Sequence, residues 1–174
     1  MHELWSANSA GASPERLREV MAEFAAGVTV VTTVWQGMPH AMTATAFSSV
    51  SLTPPLVLVC VGKSSRFHHS VTQAGTWAVS ILSADQVQIA RHFSHSGRDL
   101  ATQFDGVPHT PAPHCGAPVL DGAQGWLECV TYDKHDAGDH TIVVGRVLAT
   151  SVESADSAPL TYHRGTYSRL PDRR

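Results

Sequence analysis

The chain has 174 residues, 43% hydrophobic and 16% charged, with a formal net charge of −3. That is the length of one ordinary domain, able to bury a core without disulfides or metal. No apolar run approaches the roughly 20 residues that cross a bilayer, and a net negative chain without a Lys/Arg run argues against a nucleic-acid surface. Cys60, Cys115 and Cys129 form no C-x-x-C pair, which speaks against a disulfide framework or a cysteine-rich zinc site and suits a reducing compartment. Met1 to Asn8 has neither a basic start nor an apolar core, so no secretory signal and a cytoplasmic location are expected.

Residues 1–12, rich in Ser, Ala and Gly, read as a loose arm. Ser13-Pro14 opens a helix as cap and first helical residue, Leu17, Val20, Met21 and Phe24 recur at helical spacing, and Gly27 ends it. Val28 to Trp35 reads as a strand, and Gln36-Gly37 turns it into the Thr/Ser-rich segment Pro39 to Leu52 as a hairpin. Thr53-Pro54-Pro55 breaks the pairing before an apolar strand, Leu56 to Val61. Ser64-Ser65-Arg66 precedes a short helix from Phe67 to Val71, whose first turn offers unpaired N–H groups and a positive dipole end to an anion.

Trp77 to Leu82 reads as a strand, and Ser83-Ala84-Asp85-Gln86 has the form of a capping box ahead of Val87, Ile89, Ala90 and Phe93. A loop rich in His, Gly and Pro follows, with a short element from Leu100 to Phe104, and ends near Leu120-Asp121-Gly122. Trp126 to His135 and His140 to Ser151 form a hairpin around Asp136-Ala137-Gly138-Asp139. Leu160 to Tyr167 reads as a last strand before a basic tail, 171–174. Many strands, short turns and few brief helices indicate a mostly β fold, an antiparallel barrel rather than alternating β-α units.

The segment from Pro39 to Leu52 is the most informative. Its small hydroxyl and methyl side chains leave main-chain N–H groups open to a planar ring or a phosphate, where buried strands ordinarily carry large branched residues. A half-exposed strand rich in Thr and Ser is the alternative. No G-x-G-x-x-G follows a strand and no G-x-x-x-x-G-K-[ST] occurs, which counts against Rossmann and triphosphate-loop sites. There is no G-x-S-x-G elbow. The eleven histidines raise the possibility of a metal site built from His92, His95, His135 and His140, but no H-E-x-x-H spacing is present, and most read as surface residues.

Gly138-Asp139-His140-Thr141 places an imidazole directly after a turn, either leaning over a barrel mouth or capping the hairpin. Tyr162-His163-Arg164-Gly165-Thr166-Tyr167 groups an arginine fork, an imidazole and two aromatic faces. Such a group can grip a pyrophosphate and stack on a base, or form a solvated terminal strand.

Taken in order, the pieces Phe24 to Thr33, Met42 to Leu52, Pro54 to Val61, Phe104-Asp105-Gly106, Gly138-Asp139-His140 and His163 to Tyr167 span nearly the whole chain. This ordered set resembles the short-chain flavin reductases, the reductase components of two-component flavin-dependent monooxygenases. The resemblance implies an FMN-binding split β-barrel domain over residues 13–170, with a few flanking helices, assembled as a homodimer. It implies that NADH or NADPH reduces FMN or FAD, which diffuses to a partner monooxygenase, and no nucleic-acid, membrane or metal partner is expected. By position, Thr43, Ala44, Thr45, Ala46, Phe47, Ser49 and Val50 line the flavin, with Cys60 and Val61 near the ring. Ser64, Ser65 and Arg66 match the stretch near the phosphate tail, and His92 with Phe93 approaches from the next helix. His140, with His163, Arg164, Gly165 and Tyr167, matches the nicotinamide side, and His140 is the catalytic candidate through nicotinamide positioning.

One departure stands out: relatives commonly carry Ser where this chain has Ala46, so Thr45 or Ser48 must supply the hydroxyl or the flavin sits more loosely. Hydride transfer itself demands mainly that two planes be stacked and water excluded. The rival expectations are a non-catalytic flavin-binding barrel and a metal-dependent histidine enzyme.

Overall fold

The computed structural model describes residues 11–153 and 157–170. The expected basic tail and most of the expected N-terminal arm lie outside the described residues. Helix α1 (Pro14–Ala22) begins as the sequence predicts, with Ser13 Oγ accepting the Arg16 N–H at 3.3 Å and Pro14 in the first turn. It ends at Ala22 rather than Gly27, because Ala26–Gly27 is drawn out as strand β1 to pair with a strand from the far end of the chain. Its apolar stripe is not core: Leu17, Val20, Met21 and the following Phe24 are all more than half exposed.

Strands β2 (Thr29–Trp35) and β3 (Met38–Ala44) form the expected hairpin, with positive φ at both Gln36 and Gly37. Tight two-residue hairpin turns take that conformation because it matches the twist of the strands. The Thr/Ser segment is two strands rather than one, since the chain breaks at Thr45-Ala46 and resumes as β4 (Phe47–Leu52). The prolines turn the chain without ending the pairing, for Pro55 in β5 (Pro55–Gly62) pairs with Leu52. Helix α2 (Arg66–Ala74), strand β6 (Thr76–Ile81), a short 3-10 turn (Ala84–Gln86) and helix α3 (Val87–Ser94) follow. The Ser83 N–H donates to Gln86 Oε1 at 3.1 Å, one half of the expected capping box.

The loop beyond α3 holds a hairpin the sequence does not announce, β7 (His109–Pro111) and β8 (Pro118–Leu120). Strands β9 (Gly125–Ala137) and β10 (His140–Val152) are longer than expected, because Asp136 and Ala137 pair with Thr141 and His140 and leave only Gly138-Asp139 as the turn. The final segment is a hairpin rather than one strand: β11 (Leu160–His163) and β12 (Thr166–Arg169) turn at Arg164-Gly165, both at positive φ.

Seven antiparallel strands form one sheet in the order β3-β2-β6-β9-β10-β5-β4. Consecutive strands β3 and β4 therefore stand at opposite edges. Flat, those edges would be about 29 Å apart at six spacings of about 4.8 Å. Yet only Thr45 and Ala46 join them, a reach of about 11 Å. The sheet must curl until its edges meet, which makes a barrel with an unpaired seam.

The inside of that curl is filled by Val31, Val59, Val61, Trp77, Cys129 and Val143, all inaccessible to solvent. Gly145 is required there, since a Cβ would lie 2.9 Å from Cys129 Cβ and within 3.0 Å of the Trp77 ring. Val28, Val30, Leu82, Ala90, Phe93 and Leu160 form a second cluster that holds α3 to the other face.

Candidate functional site

The seam is where β3 and β4, consecutive in the chain, stand at opposite edges of the sheet without pairing to each other. Thr45 and Ala46 sit outside any strand, and within this link the Ala46 carbonyl accepts a ladder-like bond from the Cys60 N–H at 3.0 Å. Small residues on this stretch leave its main chain open to close approach. Ala44 and Val61 themselves point into the barrel core, so they can offer a ligand only main-chain atoms. Cys60 is half-buried, while Ser49 and Val50 are exposed on β4 beyond the seam.

On one side of the seam lies a cavity of about 390 Å³ between β3, the start of α2 and the end of α3, lined among others by Thr43, Ser64, Ser65, Arg66, Phe93 and Arg98. Ser65 caps α2 by accepting the Phe67 N–H at 3.1 Å, and its own hydroxyl donates toward Met42 Sδ at 3.8 Å. The positive end of the α2 dipole thus opens into a cavity that also receives two guanidinium groups. No carboxylate lines it. Burial and then the Arg66 charge hold both His40 and Arg98 below their ordinary pKa values.

Arg98 is fixed by carbonyls: Nη2 donates to Ala41 O at 2.8 Å, Nη1 to His92 O at 3.1 Å and also to His95 O. Its Nε is buried with no partner. An anionic tail at this place would supply the missing negative charge, so the residues present fit the phosphate end of a flavin. Thr43 Oγ1 donates to the Ala90 carbonyl at 2.7 Å and ties β3 to α3 along the cavity wall.

On the other side of the seam, Thr45 and Ala46 form part of a second cavity of about 470 Å³ with Arg18, Met21, Phe24 and His163. Arg164 lines it too, but its fork is not free. Its Nε and Nη2 donate to the Glu23 carboxylate at 2.9 and 2.6 Å, and its N–H donates to Ala22 O at 3.1 Å. Gly165 completes the turn. Tyr167 stacks on Tyr162 with ring centroids 5.1 Å apart and belongs to the cluster beneath α3, so its ring lines neither cavity.

His140 stands at the first position of β10, opposite Gly62, and its Nδ1–H donates to Asp139 Oδ1 at 2.8 Å. That bond, followed by the charge of the ring, holds the Asp139 carboxyl below its ordinary range. The ring lies over Gly62, with Nε2 3.6 Å from where a Cβ would stand. Lys63 braces the same turn, donating to Asp136 Oδ1 at 2.5 Å and Gly138 O at 2.6 Å. The Nδ1 bond to Asp139 orients the imidazole with Nε2 over Gly62, which lies two residues before Ser64. Among the described residues no group of three or more His, Cys, Asp or Glu is gathered for a metal ion.

The structure therefore brings Thr43, Ser64, Ser65, Arg66 and Phe93 together on one side, and Thr45, Ala46, His163, Arg164 and Gly165 on the other. Phe47 joins Thr45 in a smaller adjoining recess. His92 is exposed on α3, its Nε2–H donating to Gln103 O at 2.7 Å. Sequence reasoning missed His40, Arg98 and Arg18. His40 looked like one more strand residue, and Arg98 and Arg18 sit in segments with no motif, so only tertiary folding carries them to the cavities.

The flavin reductase like domain family matches residues 21–171. An NADH-dependent FAD reductase of Streptomyces globisporus is 46% identical over 137 residues, covering 78% of this chain and 75% of that protein. The reductase subunit of a flavin-dependent monooxygenase from Rhodococcus jostii (strain RHA1) is 35% identical over 161 residues, covering 92% of this chain and 80% of the relative. Among solved structures, the flavin reductase component of a bacterial two-component tryptophan halogenase superposes with a TM-score of 0.86 at 42% identity, covering 92% of this chain and 100% of the other. The Streptomyces globisporus NADH:FAD oxidoreductase in complex with NAD and FAD fragments gives 0.85 at 40% identity, covering 92% and 96%.

Proposed function

The chain belongs to the flavin reductase like family, and from that membership we infer an oxidoreductase that carries hydride from NADH or NADPH to FMN or FAD and supplies the reduced flavin to a partner monooxygenase. One observation carries the site: a carboxylate-free cationic cavity is lined by Thr43 at the end of β3, and a second cavity of comparable size is lined by Thr45 and Ala46, the two residues that join β3 to β4. A flavin lying across the seam has its phosphate end at Arg66, Arg98 and the start of α2, and a pyridine nucleotide enters from the side of α1 and the β11–β12 turn.

When bound, the flavin accepts the hydride and stores the electron pair. The protein's own part is to bind and align. Main-chain N–H groups near the seam face the ring, where donors fixed in advance favour developing negative charge. His140, oriented through Asp139, positions the nicotinamide side of the reaction. Phe24 and Met21, exposed on the α1 side, cover the second ring and exclude water when the nucleotide is seated. The assembly is a homodimer, supported by the exposed apolar stripe of α1 and by the exposed Leu52 on edge strand β4. The enzyme works in the cytoplasm, in keeping with free, half-buried or buried cysteines and no described helix long and apolar enough to cross a membrane.

Mixing the protein with NADH and excess free flavin tests this reading. Catalytic bleaching of the flavin absorbance is the expected result, and stoichiometric or absent bleaching overturns it.

A further inference from the structure

The His40 imidazole is buried without a partner. It is 8% exposed, and among the described residues its ring forms no hydrogen bond or ion pair. Buried polar side chains ordinarily have such a partner, since their lost hydration is otherwise uncompensated. His40 instead lines the cationic cavity of about 390 Å³. On β3 it shares a face with Met42, whose sulfur receives the Ser65 hydroxyl at 3.8 Å, so it stands on the side of the strand that meets the start of α2. Every titratable group around that cavity is basic: Arg66 from α2, His95 from the end of α3 and Arg98 from the loop beyond. The other histidines of the two helices are engaged elsewhere, His68 with Thr141 at 2.8 Å, His69 against the Trp35 ring and His92 with Gln103 O at 2.7 Å. Opposite His40 on β2, Thr33 is neutral and donates to Thr76 O at 2.6 Å.

We propose that His40 takes up a proton when the phosphate end of the flavin enters this cavity and gives it back when the flavin leaves, so that flavin binding is coupled to the protonation of one residue. The proposal rests on the flavin site inferred above. In the protein alone, burial and then the Arg66 guanidinium favour the neutral ring and hold its pKa below the usual 6.5. A phosphate among Arg66, Arg98 and the first turn of α2 reverses the second effect, because it offsets the guanidinium charge and gives an imidazolium its acceptor. The proton comes from solvent and adds to the ring, which then meets the anion as a third cation. Binding therefore raises the proton affinity of His40. The gain in flavin affinity is complete below the pKa of the free protein and is lost as pH rises through the pKa of the complex. Arg66 and Arg98 remain charged throughout and contribute no such dependence.

Calorimetric titration of FAD between about pH 5.5 and about pH 8 tests this, with each titration run in two buffers of different ionisation heat so that proton uptake is counted directly. FAD is the probe because its diphosphate keeps its charge over that range, whereas the phosphomonoester of FMN itself titrates at about pH 6. The native protein should bind FAD about tenfold more tightly at the acid end, as an about tenfold difference in proton affinity between the bound and free ring requires. It should take up protons on binding, never more than one per flavin. His40→Gln and His40→Asn should bind FAD with one affinity at every pH and take up none, and thermal melts identify which of the two folds as the native protein does. His95→Gln should keep the native pH dependence, which separates the buried ring from the exposed one beside it. A dependence that survives in the His40 variants, or that disappears in His95→Gln, overturns the proposal. Native binding that is the same at every pH overturns the proposal alone, whereas no FAD binding at any pH overturns the flavin site together with it.

Discussion

The Arg164 guanidinium is held by the Glu23 carboxylate, Nη2 to Oε2 at 2.6 Å and Nε to both oxygens at 2.9 Å, so the last hairpin is tied to the end of the first helix. This bidentate geometry keeps Glu23 below its ordinary pKa, chiefly through the hydrogen bonds from Arg164. The pair is exposed, and its value is positional: it fixes the turn that follows His163 against α1. Glu23→Gln and Arg164→Ala should each raise KM for NADH, and the double variant should be no worse than either alone. Steady-state kinetics of the four proteins checks this. If Arg164→Ala is far more damaging than Glu23→Gln, the guanidinium is gripping nucleotide rather than α1.

His140 owes its orientation to Asp139 and to the glycine beneath it. Replacing His140 by Ala should lower NADH-dependent turnover at least about tenfold, the lower range of loss when a positioned catalytic group is removed. Flavin affinity should change little. Parallel flavin titration and single-turnover reduction make the comparison, and an equal loss in both would assign the ring a structural role.

Thr43 separates two effects that one substitution confounds. Its hydroxyl bonds to the Ala90 carbonyl while its side chain lines the cationic cavity. Thr43→Val removes the hydrogen bond with little change of volume and should cost about 1 kcal/mol of stability, leaving flavin binding nearly intact. Thr43→Leu adds bulk at the cavity wall and should weaken flavin binding as well. Urea denaturation and fluorescence titration of both variants distinguish them, and the same flavin affinity in Leu as in native protein would show that the ligand keeps clear of this wall.

Glu128 is completely buried on β9 yet fully engaged, accepting the His114 N–H at 2.9 Å, the His114 ring at 2.7 Å and the Cys115 N–H. Burial pushes its pKa up, but the hydrogen bonds from Cys115 and His114 prevail and bring it below 4.5. The same surroundings push the Cys115 thiol up to about 12, so it stays protonated and unreactive. A carboxylate with a depressed folded pKa stabilises fully above its unfolded value and loses that contribution as pH falls through the folded one. Glu128→Gln should therefore cost about 2–4 kcal/mol at pH 7, with the two stability curves converging in acid below the unfolded value of 4.5. Denaturation curves from pH 7 down to about pH 3 provide the measurement, and a constant gap across that range would contradict the assignment.

Much of the chain was legible because local rules carried the information. Ser13-Pro14, Gln36-Gly37 and Ser65 each act within a few residues, and the structure places a cap, a turn and a cap there. The failures share a cause. Leu17, Val20 and Met21 have helical spacing, but periodicity says only that one face is apolar, not what covers it. Leu160 to Tyr167 read as one strand because Arg164 is not a residue that advertises a positive φ; the turn is imposed by its bond to Glu23 and by Gly165. Arg98 reaches the candidate site only because a loop folds back across β3, where Ala41 accepts its bond. A seam at Thr45-Ala46 was visible as a run of small residues, but its meaning depends on the two strands beside it lying at opposite edges of one sheet.

That arrangement has an engineering consequence. Most barrels set their circumference by strand number and stagger. Here the width of the slot is metered by contour length, because covalent chain rather than a hydrogen-bonded ladder spans it. Each residue inserted between Ala44 and Phe47 would grant the rims about 3.3 Å of additional slack, so a two-residue tether acts as the gauge of how far apart the two edge strands can stand.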